Sequence, residues 1–321
     1  MTTKTFADFA LENFRKDLEK KDFKAAYKRF FTGDKEPLWT TLKNEGRGIE
    51  AIAAIQELGK QAITQKDRAH VLYWTGLLWD NSVSDQEDSD RQEKALTLYK
   101  EAKIAAIPGS EGDIRTQVSI IANLRVRGRF EEITPYVDAY LGAARNHFAA
   151  TGDPAPYLEL IGQCAHYYQQ RPKENDAERD ADIKQVGALY EEQLRLLEKS
   201  TDVGGRVDAL TNAAAFFTTH GDTARAGQLF EKAFVAFKDI PPSQDPDSKK
   251  IWLNLRCAQY LDKTGKTGEA FAMFAAADAA ARAYNGGKGF KDAVDQTTAA
   301  LKYFTVRYPD LAAQKGESTR S

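Results

Sequence analysis

Residues 210–233 read LTNAAAFFTTHGDTARAGQLFEKA, and residues 257–277 read CAQYLDKTGKTGEAFAMFAAA. In the first, Gly221, Ala226, Phe230 and Ala233 stand five, four and three residues apart, and Gly265, Ala270, Phe274 and Ala277 repeat that spacing 44 residues later. A small residue, Ala214 or Ala258, lies seven positions before each glycine, and a large one, Phe217 or Leu261, lies four before it. The glycine permits a tight turn between two helices. The paired alanines let the helix backbones approach, and the large residues fill the space between successive hairpins. Self-similarity at this period predicts a helical repeat.

The pattern extends outward in weaker copies. Ala95, Tyr99 and Ala102 reproduce the second helix after Gly76 and Trp79; Val186, Tyr190 and Gln193 follow Gly162 less closely, and Ala26 with Phe30 is a fragment. Apolar residues recur at three- and four-residue steps, as in Phe6, Phe9, Ala10, Phe14 and Leu18, and alternating runs are almost absent. Helices are expected near 5–19, 22–31, 36–44, 48–63, 67–80, 91–106, 112–127, 130–149, 155–170, 177–199, 204–219, 222–238, 247–263, 267–284 and 288–307. Pro37, Pro154 and Pro156 stand at helix starts and Pro172, Pro241, Pro242 and Pro246 in connections. Pro135 either opens a helix after Thr134 or kinks one running from Phe130.

On these residues the chain resembles the tetratricopeptide repeat family, most closely in Leu210–Ala233 and then in Cys257–Ala277 and Leu72–Ala102. Two features depart from that family. Turn centres near 85, 128, 175, 221 and 265 are 43 to 47 residues apart, longer than the ordinary ~34, and no proline regularly closes the second helix. The resemblance implies an all-α fold, a right-handed α-α superhelix of about seven hairpins with a C-terminal capping helix. Degenerate hairpins would occupy 1–65, repeats 66–286, the capping helix 287–310 and a disordered tail 311–321. A non-repetitive helical bundle is the competing architecture.

Composition narrows the function. Among 321 residues, 45 Lys and Arg face 47 Asp and Glu, so no global field draws the chain to nucleic acid or an anionic membrane. Cys164 and Cys257 are too few for a disulfide framework or a thiolate zinc site, and the start lacks an uninterrupted apolar run. A cytoplasmic, non-enzymatic protein is expected, with no cofactor, no metal, and neither nucleic acid nor membrane as partner. Its oligomeric state is left open.

The chemical motifs each meet a plainer reading. Cys164 and His166 sit about 200° apart on a helix and do not face each other as nucleophile and base. His220 before Gly221 is expected to cap a helix C-terminus as an imidazolium. Asn285-Gly-Gly-Lys-Gly289 lacks the strand, glycine spacing and hydroxyl of a phosphate loop. The acidic stretch Asp80–Glu93, with Asp85, Glu87, Asp88 and Asp90, lacks an EF-hand register and reads as a solvated insertion.

Tetratricopeptide proteins bind partners on the concave wall formed by the first helix of each hairpin, and the resemblance projects that wall onto this chain. It would hold His70 and Tyr73; Arg115 and Arg125; Glu159, Gln163 and His166; Asp208, Thr211 and Thr218; Trp252, Leu255 and Gln259. The family's carboxylate clamp is excluded, because Leu77, Ala122, Gln163, Ala215 and Gln259 replace its asparagines. Arg125, Arg127 and Arg129, flanked by insertions 80–93 and 171–182, would form a charged edge, either solvated and self-neutralising or steering a partner. The leading expectation is a scaffold or adaptor that holds a protein or peptide in the groove. The alternative is a helical enzyme or ligand sensor with a pocket around Cys164, His166, Tyr167 and Tyr168.

Overall fold

Gly221 and Gly265 adopt φ of +89° and +79°, the left-handed backbone that L side chains resist. After Gly265 the chain closes as a Schellman turn, Lys266 N donating to Leu261 O at 2.9 Å and Gly265 N to Asp262 O at 3.1 Å. Gly128 repeats it: Arg129 N donates to Leu124 O at 2.9 Å and Gly128 N to Arg125 O at 3.0 Å. A computed structural model describes the chain except residues 1–3, 34–35, 63, 85–86, 199, 288–290 and 311–321, and describes 285–287 and 291–292 by their backbone. The described residues form helices and turns without a strand.

Two units divide the chain, Met1–Pro172 and Lys173–Ser321. Unit 1 contains α1 Phe6–Glu19, α2 Phe23–Phe31, α3 Leu38–Asn44, α4 Gly48–Gly59, α5 Gln65–Ser82 and α6 Arg91–Ala105. It continues with α7 Glu111–Val126, α8 Phe130–Ile133, α9 Val137–Thr151 and α10 Ala155–Gln170. Unit 2 contains α11 Asp176–Leu197, α12 Val203–Thr219, α13 Thr223–Phe237, α14 Pro246–Lys263, α15 Thr267–Gly287 and α16 Lys291–Arg307. In each unit, helices pack on their neighbours in chain order as hairpins, the plan of an α-α solenoid. The division after Pro172 is not signalled by the repeat spacing.

Packing follows the small-large pattern. Ala214, Ala226, Ala258 and Ala270 are all 0% exposed. At Gly76 of α5, an added Cβ would lie 2.6 Å from the Tyr99 ring of α6, so the glycine is what admits that fully buried ring. Phe230 packs on Tyr260 at 5.4 Å, and Phe304 of α16 packs on Phe274 at 5.2 Å, covering the end of unit 2. Phe14 and Phe30, 5.9 Å apart, anchor the core of α1–α5.

Two local expectations are settled or corrected. Thr134–Tyr136 forms a 3-10 turn with Pro135 inside it, so the missing amide interrupts the helix between α8 and α9 rather than kinking a continuous one. His220 does occupy the end of α12, but its pKa is lowered, first by burial against its surroundings and then by Lys263. Lys263 Nζ reaches from α14 to the Thr218 and Thr219 carbonyls at 2.6 and 3.0 Å and supplies the positive charge expected of the imidazolium. Lys288 and Gly289 of the glycine cluster lie outside the described residues, as does Asp85.

Candidate functional site

The helices α5, α7 and α10 of unit 1 supply the candidate side chains: His70 and Trp74 stand four apart on α5, Arg115 and Ser119 four apart on α7, and Glu159, Gln163, His166 and Gln170 at steps of four, three and four on α10, each set on one face of its helix. On α5, Tyr73 is half-buried, with Ser119 of α7, Arg115 and Glu159 within electrostatic reach. Arg115 Nε donates to Glu111 at 2.8 Å and Nη1 to Glu159 of α10 at 3.4 Å. In the last turn of α7, Arg125 Nε donates to Gln163 Oε1 at 3.4 Å and Nη1 to Gln170 Oε1 at 2.9 Å. Of the residues the sequence projected onto one wall, the structure pairs Arg115 with Glu159 and Arg125 with Gln163, and sets Tyr73 within electrostatic reach of the first pair. His166 is half-buried on α10.

An aromatic cluster continues this face. His70 meets Phe31 at 4.8 Å and Tyr27 at 5.4 Å, Trp39 meets Trp74 at 5.4 Å, and Tyr73 meets Trp74 edge-on at 6.4 Å. Burial among these rings lowers the His70 pKa and keeps the imidazole neutral near pH 7. Sequence reasoning found His70 and Tyr73 but missed Trp39, Trp74, Phe31 and Gln170. Gln170 was recoverable, since it lies seven residues after Gln163 on α10. Trp39 was not, because α3 carries no copy of the repeat pattern.

Unit 2 corrects several projected residues. Thr211 and Thr218 are 3% and 6% exposed, and their hydroxyls donate to Val207 O at 2.7 Å and Ala214 O at 2.8 Å of their own helix. Leu255 is 2% exposed. These three belong to the core, because neighbouring helices enclose α12 and α14 and a threonine that bonds its own carbonyl packs like an apolar residue. Trp252 packs against the Ile251, Ala281 and Ala293 cluster. Asp208 pairs with Lys249, and Gln259 is exposed, accepting from Arg256 at 3.2 Å.

The arginine edge divides. Arg127 and Arg129 both turn to Glu93 at the start of α6, Arg129 at 2.9 Å, and Arg129 also meets Glu132. Arg125 faces α10 instead, so the three do not act as one cluster. In the acidic stretch Glu87, Asp90 and Glu93 are exposed, as a solvated insertion requires, and the half-buried carboxyl is that of Asp80, inside α5. Asp80 accepts from Tyr99 Oη at 2.9 Å and Asn123 Nδ2 at 3.1 Å, Glu87 accepts from Ser84 N at 2.8 Å, and Asp88 pairs with Lys94.

Burial raises the Asp80 carboxyl above its ordinary value, outweighing the Tyr99 and Asn123 hydrogen bonds. The folded state thus holds this proton more tightly than the unfolded state does, and the contribution of Asp80 to stability falls as pH rises through that window. The stability difference between the parent chain and Asp80→Asn, read from urea unfolding at successive pH values, should decline from about pH 4 upward. A flat difference would show that the Asp80 carboxyl is solvated.

The Cys164 cluster forms no exposed dyad. Cys164 is 0% exposed and burial pushes its thiol up to about 12. Tyr167 is buried, its hydroxyl 2.6 Å from that of Thr134, and burial raises Tyr168 to about 12 as well. Arg171 lies over both rings. Two clefts lie elsewhere. One of about 410 Å³ in unit 1 is lined by Ile104, Ile120, Leu124, Tyr136 and Tyr140, with Lys100 and Lys103 paired to Glu132 and Asp113. Another, of about 530 Å³ in unit 2, is bridged by Arg225 and Glu191 at 2.6 Å.

No helix among the described residues is long and apolar enough to cross a membrane. No protein-family model matches the chain, and no curated protein sequence matches it significantly. Among solved structures, the chain is similar to BtubC (BKLC) from P. vanneervenii, with a TM-score of 0.56 and 13% identity over 73% of this chain and 91% of that one. It also aligns with a Rap protein complexed with competence and sporulation factor, with a TM-score of 0.48 and 10% identity over 97% of this chain and 89% of that one. The likeness to BtubC shows a shared all-helical repeat fold.

Proposed function

We propose that the chain is a non-enzymatic interaction module of tetratricopeptide type, which holds a protein or peptide on the α5, α7 and α10 face of unit 1 and assembles or regulates it. The observation that carries this reading is a pair of contact groups on α5, α7 and α10: Trp74, Tyr73, Arg115 and Glu159 in one, and Arg125, Gln163 and Gln170 further along α7 and α10 in the other. Half-buried Tyr73, Trp74 and Gln163, with exposed Gln170 beside them, offer anchors on three helices at little ordering cost. Cys164 is 0% exposed and burial raises its thiol, which weighs against it as the nucleophile of the competing enzyme reading. We place the protein in the cytoplasm, where two buried free cysteines and a near-neutral net charge are at home.

The test is photo-crosslinking in cell extract, with p-benzoylphenylalanine at Tyr73 and, as control, at Ile104, which is 83% exposed in α6. Discrete polypeptide adducts at position 73 alone are expected. Adducts at 104 alone, or at neither, would overturn the assignment of this face.

A further inference from the structure

Arg125 is the side chain on this face whose charge is not answered. Arg115 has Glu111 and Glu159, and Arg127 and Arg129 have Glu93. Arg125 is half-buried and meets only the amide oxygens of Gln163 and Gln170; no described carboxylate pairs with it. A guanidinium carries five N–H donors, so three remain after these two bonds. Neutral amides only partly repay the desolvation of a cation, and burial accordingly pulls the Arg125 pKa below its ordinary value. Because the glutamines fix the planar fork from the α10 side, its free edge is organised for a planar anion, which a carboxylate matches in shape and charge.

The rest of the face says what carries that anion. The Trp39, Trp74, Tyr73 and His70 rings form an apolar patch where α3 meets α5, with the opposite charges of Asp67 and Lys66 at its edge. A ligand complementary to both ends has a carboxylate and a large apolar group on one chain. Resting on the interaction module proposed above, we infer that the α5, α7 and α10 face takes an extended acidic peptide, an Asp or Glu side chain pairing with the Arg125 fork and an apolar side chain lodging against Trp39 and Trp74.

The probe is a phage-displayed library of random dodecapeptides, selected on the full chain and re-synthesised for affinity measurement. Selected peptides should be enriched in Asp or Glu together with an aromatic or aliphatic residue. Arg125→Gln should weaken them about 10- to 100-fold, the loss of one charge-assisted pair, and flatten the decline of affinity with salt. Arg125→Lys keeps the charge without the fork and should recover part of that loss. It carries the test if Arg125→Gln alters the melting curve. Peptides that bind without acidic enrichment and ignore both substitutions would overturn this inference while leaving the interaction module intact. Competition by an oligothymidylate 12-mer that depends on Arg125 would overturn it in favour of a phosphate ligand. Failure of every peptide, with no adduct at position 73, would remove both.

Discussion

Tyr99→Ala should cost about 3–5 kcal/mol, the usual range for deleting a large ring from a closed core. The ring is 0% exposed and lies against Gly76, which has no side chain to move into the space. Its hydroxyl also donates to Asp80 at 2.9 Å, so truncation strips a buried carboxylate of one of its donors. Tyr99→Phe separates the two contributions: it keeps the ring and should cost only about 1 kcal/mol, because Asn123 still donates to Asp80. Urea unfolding followed by a probe in unit 1 measures both. Equal losses for Phe and Ala would mean that the hydrogen bond, not the packing of the ring on Gly76, holds α5 to α6.

Ala226→Leu and Ala270→Leu should each destabilise unit 2 by about 1–3 kcal/mol. Both alanines are 0% exposed where the second helix of a hairpin meets the first, and three added heavy atoms at either site must push two backbones apart. Gln228→Leu, at an exposed position of α13, is the control and should change stability by under about 0.5 kcal/mol. If the alanine variants unfold at the same urea concentration as the parent, the small positions are not where the helices approach.

These effects rest on the part of the architecture that was legible in the residues. Gly221 and Gly265 could be read because a tight inter-helix turn needs a left-handed residue, and Ala226 and Phe230 because close helices need a small residue beside a large one. Local geometry of this kind is written locally. Burial is not. Thr211, Thr218 and Leu255 were projected onto a surface by register, but how many neighbours enclose α12 and α14 depends on helices far along the chain. The fate of Arg127 and Arg129 likewise turned on Glu93, 34 and 36 residues away. The His70 position was readable from its helix face, whereas its aromatic surroundings came from α2 and α3, where the repeat pattern had faded to Ala26 and Phe30. The division after Pro172 left no mark beyond a proline in a connection, which every other connection also allows.

Hydrogen–deuterium exchange of the full chain, with and without saturating amounts of the tightest selected dodecapeptide, locates the binding face without any substitution. Backbone amides of α5, α7 and α10 should exchange more slowly when the peptide is bound, while those of α6 and α9 keep their rates. Protection confined to α6 and α9, around the cleft of Ile104, Tyr136 and Tyr140, would contradict the assignment and move the site to that cleft.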